Sequence, residues 1–230
     1  MRKFTTALIS VAAAALAATS AQAAPGTVTS TANDYYSAQR NVPAGSTVVT
    51  FDTPQLPNGF SLQGGTIGTG SVWDPSVGNW KYVAPSGDST NFLVTLPNAS
   101  TTLTADKRFG YGSVGLNWGS IDTSNILDVL DIFGNVITSI TGLNLLSNRS
   151  LLDFSTNRYV TYSLDPNSGQ QIGGLRFTSP NNNGWSFEVD DIAFSNASPA
   201  AVPEPASIAL FGAGLAGLVG VARRRRRQAA

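Results

Sequence analysis

The chain has 230 residues, with fourteen basic and fourteen acidic side chains, no histidine and no cysteine. That inventory excludes Ser-His-Asp and Cys-His nucleophile systems, ordinary zinc sites and disulfide staples, so stability must come from burial and hydrogen bonding. The formal charge of zero hides a partition: residues 24–201 hold seven basic and thirteen acidic residues, a balance of minus six. An acidic body has no electrostatic footprint for phosphate backbones, which argues against a nucleic-acid partner.

In chain order, Arg2 and Lys3 precede an apolar stretch, Ala7–Ala18, which is followed by Ala21-Gln22-Ala23. This is the charged, apolar and small-residue order of a secretory signal, so residues 1–23 are expected to be a signal helix cleaved after Ala23. Residues 24–195 suffice for one domain with a sizeable core. Thr27, Thr29 and Thr31 form too short a Thr-x-Thr array for an ice-binding face, and they lie beside the new N-terminus, where fraying is expected.

Short runs of alternating apolar and polar residues, punctuated by Gly, Pro, Asn and Ser, predict an all-β body. The expected strands are Thr47–Asp52, Phe60–Gln63, Asn91–Leu96, Ser100–Thr104, Ser113–Trp118, Ile126–Phe133, Val136–Thr141, Arg158–Leu164, Ile172–Thr178 and Trp185–Phe194. Their number and spacing suggest a jelly-roll-like β-sandwich. The clearest hairpin is Ile126–Thr141, where Gly134-Asn135 supplies the positive backbone angles of a tight turn. The Gly64-Gly65 to Gly70 stretch lacks the strand-turn-helix setting of a phosphate loop and reads as a flexible connector. Trp73 and Trp80 lie in a Gly- and Pro-containing loop, so one of them is the best candidate for an exposed sugar-stacking platform.

Two places suggest more than scaffold. Leu116–Asn125 (LNWGSIDTSN) ends one strand and begins another. Its Trp-Gly-Ser, Asp and Asn resemble the central motif of a group of exosortase-dependent surface proteins, whose ectodomains also carry Ser-Val-Trp-Asp and Gly-Asp-Ser/Thr-Thr-Asn segments. Here these are Ser71–Asp74 and Gly87–Asn91. Trp73, Trp118, Asp122 and Asn125 are therefore candidate ligand-binding residues. The alternative is that Trp118 is a core aromatic while Asp122 and Asn125 close a turn.

The second place is the closing strand, Ser186–Phe194. Phe187 and Val189 share one phase and Ile192 and Phe194 the other, so all four face the core only if a β-bulge falls at Asp190-Asp191. Such a strand is similar to the closing strand of many jelly-roll surface and carbohydrate-binding domains, in some of which an Asp at this point binds calcium. That likeness implies Asp190 and Asp191 as candidate metal ligands and calcium as the candidate cofactor, since carboxylate oxygens suit a hard cation. The alternative is a bulge with exposed carboxylates. Glu188 is the sole glutamate of the body, so acid-base chemistry would need an Asp pair such as Asp122 with Asp190. Nothing in the sequence brings that pair together, and no enzyme is expected.

Asn196–Ala201 is a small-residue linker, and beyond it Pro203-Glu204-Pro205 precedes an apolar run and five arginines, Arg223–Arg227. A helix over Ala206–Ala222 would be about 25 Å long, slightly short of a hydrocarbon core of about 30 Å, and the arginines after it should stay cytoplasmic. This order resembles a PEP-CTERM sorting signal. In that family, found in exopolysaccharide-producing Gram-negative bacteria, an exosortase cuts near the Pro-Glu-Pro and passes the protein to the cell surface. The resemblance implies that Val202, Pro203, Glu204 and Pro205 are the sorting motif, over a signal spanning residues 202–227. Arg223, Arg224, Arg225, Arg226 and Arg227 are then its cytoplasmic stop. It further implies an exosortase and the inner membrane as partners, the cell surface or matrix as destination, and exopolysaccharide as a candidate ligand. The ectodomain is expected to be structural or adhesive, with a carbohydrate-binding module as the alternative.

Overall fold

β-Branched and aromatic residues at alternate positions pair into antiparallel strands throughout the body. The computed structural model describes residues 26–32, 42–76, 78–106, 108, 110–146, 157–180 and 185–196. The expected signal peptide, the linker beyond Asn196, and the C-terminal segment with Val202, Pro203, Glu204, Pro205 and the arginines lie outside these residues. Among the described residues no helix is long and apolar enough to cross a membrane.

The strands are β1 (Gly26–Ala32), β2 (Thr47–Val49), β3 (Ser61–Gln63), β4 (Thr66–Thr69), β5 (Val72–Asp74), β6 (Asn79–Tyr82) and β7 (Asn91–Thr95). They continue with β8 (Ala99–Thr104), β9 (Tyr111–Gly119), β10 (Ile126–Asp131), β11 (Val136–Thr141), β12 (Arg158–Leu164), β13 (Ile172–Ser179) and β14 (Phe187–Asn196). One short helix, α1 (Gly142–Leu146), follows β11. All strands but β5 and β6 belong to one curled antiparallel sheet. One part runs β1-β12-β9-β14-β7-β4, with β2 also on β14; the other runs β11-β10-β13-β8-β3. They join where Ile172 pairs with Tyr111. The sheet closes on a core that includes Trp118, Phe177, Phe187, Phe194, Leu103 and Leu127. This is a β-sandwich made by folding one sheet, which buries alternate residues of each strand on the inside.

The expected bulge is present. Asp190 pairs with Asn117 and Ala193 with Gly115, so β14 carries one residue more than β9 across this interval. Asp191 takes a positive φ of 49° to make the step. Phe187, Val189, Ile192 and Phe194 all enter the core as a result.

Several expectations need correction. Gly26–Ala32 does not fray: it pairs along its whole length with β12, and Arg158 donates to the hydroxyl of Ser30 at 3.1 Å. The supposed connector Gly64–Gly70 contains β4, which pairs with β7. Ser71–Trp80 is a hairpin of β5 and β6 rather than a loop. β2 stops at Val49, short of Asp52, because Phe51 adopts φ 58° and leaves the extended region. In the β10–β11 hairpin only Gly134 has a positive φ, of 90°. The turn is closed by Gly134 N–H on the Asp131 carbonyl at 3.0 Å and by Asp131 N–H on Asn135 at 2.8 Å, a longer loop than a two-residue turn.

Candidate functional site

β14 buries both of its faces. Its inner face supplies the core aromatics, while Glu188 and Asp190 occupy the opposite phase beside Gly119 and Asn117 of β9. Tyr159 of β12 pairs with the same Asn117, so Asp190, Asn117 and Tyr159 share the outer face. A strap formed by the β6–β7 connection, residues 83–90, crosses this face. Val83 N–H lies 3.4 Å from Glu188 Oε1, and Ser86 N–H donates to Asn157 Oδ1 at 2.9 Å. Pro85 occupies the space a side chain at Gly119 would need, since an added Cβ would meet Pro85 Cγ at 2.9 Å. Glycine at 119 lets the strap settle on the sheet.

Beneath and beside the strap, polar atoms are buried without partners. Both carboxyl oxygens of Asp190, Oδ2 of Asp191, Oδ2 of Asp88, both amide atoms of Asn117 and the Tyr159 hydroxyl are in this state. Burial pushes the Asp190 carboxyl up to about 10, aided by the charges of Asp191, Asp88 and Asp52. Burial also raises Asp191 to about 6, with Asp88 and Asp52 adding to it. The Tyr159 phenol rises to about 12 through burial and the nearby Asp191 charge. The alternative of exposed carboxylates at the bulge is therefore wrong: Asp190 is 0% and Asp191 3% exposed. Among the described residues no three acidic side chains stand close enough to cage a metal ion. The unpaired atoms here are chiefly hard oxygens, with the Asn117 amide nitrogen among them, and they are not arranged as a metal cage.

The second feature is aromatic. β5 and β6 form a separate two-stranded hairpin in which Trp73 pairs with Trp80. Their rings meet edge to face at 5.3 Å and 85°, yet Trp73 remains 50% and Trp80 40% exposed. The turn is tied by Asp74 Oδ1, which accepts from Ser76 N–H at 2.9 Å, and by Gly78 at φ 65°. The hairpin's base is held by Ser186 Oγ donating to the Lys81 carbonyl at 2.6 Å and by Ala84 N–H donating to Ser71 Oγ at 2.9 Å.

At the foot of this hairpin lies a slot of about 20 Å³ whose lining includes Trp80, Lys81, Asp122, Trp185 and Glu188. Burial raises Asp122 to about 7. Glu188 is pushed well above the usual carboxylate range by burial first and by the Asp122 charge second. Two raised carboxyls in one depression have the composition of a glycosidase pair. The volume argues otherwise, since it holds roughly one water molecule and no sugar ring.

The structure thus separates the sequence candidates. Trp73 is exposed on the hairpin. Trp118 is 0% exposed and stacks on Phe187 at 4.3 Å and 13°, so it offers no face to a ligand. Asn125 is buried, donating its side-chain N–H to the Ser186 carbonyl at 3.0 Å, while its backbone N–H closes a turn on the Asp122 carbonyl at 3.1 Å. Asp122 meets Glu188 rather than Asp190, and Asp190 faces the charges of Asp191, Asp88 and Asp52. Glu188, Asp88, Asp52 and Asn117 were missed as site residues. A usable signal existed: Glu188 and Asp190 occupy the non-core phase of a strand that is otherwise apolar up to its bulge. The Gly87–Asn91 and Leu116–Asn125 segments both border this outer face, and Ser71–Asp74 supplies the hairpin above the slot.

Two solved structures share the all-β character at low similarity. The K2 cleaved adhesin domain of Lys-gingipain is 14% identical, with a TM-score of 0.41, covering 66% of this chain and 99% of its own. A mutant of a family 29 carbohydrate-binding module is 17% identical, with a TM-score of 0.38, covering 70% of this chain and 99% of its own. No curated protein matches the chain. Residues 201–227 match the PEP-CTERM protein-sorting motif. The protein therefore carries a PEP-CTERM sorting motif at its C-terminus, which implies processing by an exosortase and export to the cell surface.

Proposed function

We propose that this is a surface or matrix protein of a Gram-negative bacterium whose ectodomain is adhesive and non-catalytic. Its C-terminal apolar segment holds it briefly at the inner membrane, and an exosortase then cuts near Pro203-Glu204-Pro205. The match of residues 201–227 to the sorting motif supports this route. The mass of the C-terminus recovered from the cell surface tests it. The mature chain should end near Pro203–Pro205, and the uncut form should accumulate in the inner membrane of cells lacking the exosortase. Recovery of Arg223–Arg227 on the surface protein would make the tail a permanent anchor instead.

For the ectodomain, one observation favours a carbohydrate ligand: Trp73 and Trp80 stay exposed together at the end of a hairpin anchored to the sandwich. Exposed paired indoles suit stacking against the apolar faces of pyranose rings, and the acidic balance of residues 24–201 disfavours anionic sugars. A neutral exopolysaccharide is the ligand class this reading selects. The finer fold reading, a jelly-roll-like wrap, belongs to the same proposal. Trp73→Ala with Trp80→Ala should weaken retention on the strain's neutral exopolysaccharide about tenfold or more. The melting temperature should move by no more than about 2 °C, since both rings face solvent. Unchanged retention in the double variant would remove the carbohydrate reading and leave a structural role.

A further inference from the structure

We propose that β1 (Gly26–Ala32) is a docking edge for β1 of a second copy of this chain, the two strands pairing antiparallel about a twofold axis that passes between their Thr29 residues. The open edges of the sheet are treated unequally. A strand with one free side presents unpaired N–H and C=O groups, and folds blunt such edges by short length, bulges, charge or proline. Here β2 and β3 have three residues and β4 has four, while β11 carries a register shift opposite Val129 and Leu130. β1 has none of these devices. It runs seven residues in unbroken register with β12, holds no charged residue and no proline, and among the described residues pairs on one side only.

The residues of β1 also select the occupant. Outward from Thr29, GTVTSTA is nearly the same in both directions, so the twofold sets Thr29 opposite Thr29, Thr27 opposite Thr31 and Val28 opposite Ser30 of the second copy. Thr27, Thr29 and Thr31 are exposed and share the phase of Thr161 and Ser163 in β12, the face away from the core residues Val160, Tyr162 and Leu164. Every outer-face pair across the axis is therefore Thr with Thr, in which hydroxyls bond and methyl groups pack. On the other face Val28, which is 39% exposed, gains a neighbour. Charge raises no barrier at the contact itself, although residues 24–201 carry a balance of minus six. Arg158 is the one charged residue paired with β1, and it is turned onto Ser30, donating to the hydroxyl at 3.1 Å and to the carbonyl at 3.2 Å. The twofold keeps the two arginines at opposite ends of the paired strands. One sheet then runs through both copies as β12-β1-β1-β12, a self-complementary interface that closes as a dimer. It needs neither the Trp73–Trp80 hairpin nor a ligand there.

The test uses the full chain in mild detergent, where sedimentation at about 100 μM should show a dimer, a concentration suited to a small edge interface. Thr29→Lys and Thr29→Glu alter an exposed side chain, so each should keep the parent's circular dichroism and melting temperature. Each alone should dimerise about tenfold more weakly or worse, because like charges then face each other at the axis, and an equimolar mixture of the two should recover the dimer. The chain has no cysteine, so single cysteines report the register directly. Thr29→Cys should give a disulfide-linked dimer under mild oxidation, since directly opposed residues lie within disulfide reach. Thr27→Cys should not, because its two copies stand about 14 Å apart in this register. A monomeric parent overturns the proposal. A dimer that Thr29→Lys leaves unchanged, or crosslinking of Thr27→Cys as fast as that of Thr29→Cys, overturns it equally, because the association then uses the C-terminal apolar segment or another surface.

Discussion

Replacing Trp118 with alanine is expected to destabilise the domain by about 3–5 kcal/mol, enough to unfold much of it at growth temperature. The indole sits on β9 at the centre of the core and stacks on Phe187, which in turn meets Phe177 edge to face at 5.3 Å. Truncation leaves a void that strands paired on both sides, β12 and β14, cannot collapse to fill. Trp118→Phe should cost clearly less. It keeps a ring against Phe187 and also removes the indole N–H, which is buried without an acceptor. Urea unfolding followed by circular dichroism checks both. A Trp118→Ala midpoint close to that of the parent would mean that the stack does not hold the two layers together.

The second large effect is on the pH dependence of stability, measured with chelator present. Asp122 has a folded value of about 7 against 3.8 for the free side chain, because burial disfavours its charged form. Below about pH 4 both states are protonated and the group contributes nothing. As pH rises from about 4 through 7 the unfolded chain releases this proton while the folded chain keeps it, so stability falls, and above that range the loss is complete. Asp122→Asn should therefore unfold like the parent near pH 4. At about pH 9 it should be more stable by on the order of 2 kcal/mol, after discounting the part of the carboxyl that still meets water. Glu188 and Lys81 line the same slot, and the Asp122 charge raises Glu188, so the substitution also relieves Glu188. Superimposable pH–stability curves for the two proteins would show that Asp122 is not buried as described.

The contrast between Trp73 and Trp118 shows where sequence reasoning stops. Both precede small or polar residues in short motifs, and nothing local distinguishes a ring that faces solvent from one that fills a core. The difference comes from partners distant in the chain in one case, where Arg158 of β12 and Val189 of β14 flank Trp118, and from a two-stranded hairpin lacking further partners in the other. β1 and β4 escaped detection for a related reason. Their threonines and glycines carry almost no apolar alternation, and their pairing is supplied by β12 and β7.

What the sequence determined alone was the information that sits in local order. The sorting signal is read from consecutive residues near the C-terminus, and the all-β class follows from alternation within each run. The β14 bulge follows from a phase change between Val189 and Ile192 that only one extra residue can absorb. What only the tertiary structure decided was which polar side chains share a face. Asp52, Asp88, Asn117 and the Asp190-Asp191 pair are brought together by pairing across β9, β7 and β2 and by the strap laid over them. Burial and electrostatic coupling depend on distance in space, and no spacing along the chain encodes that distance.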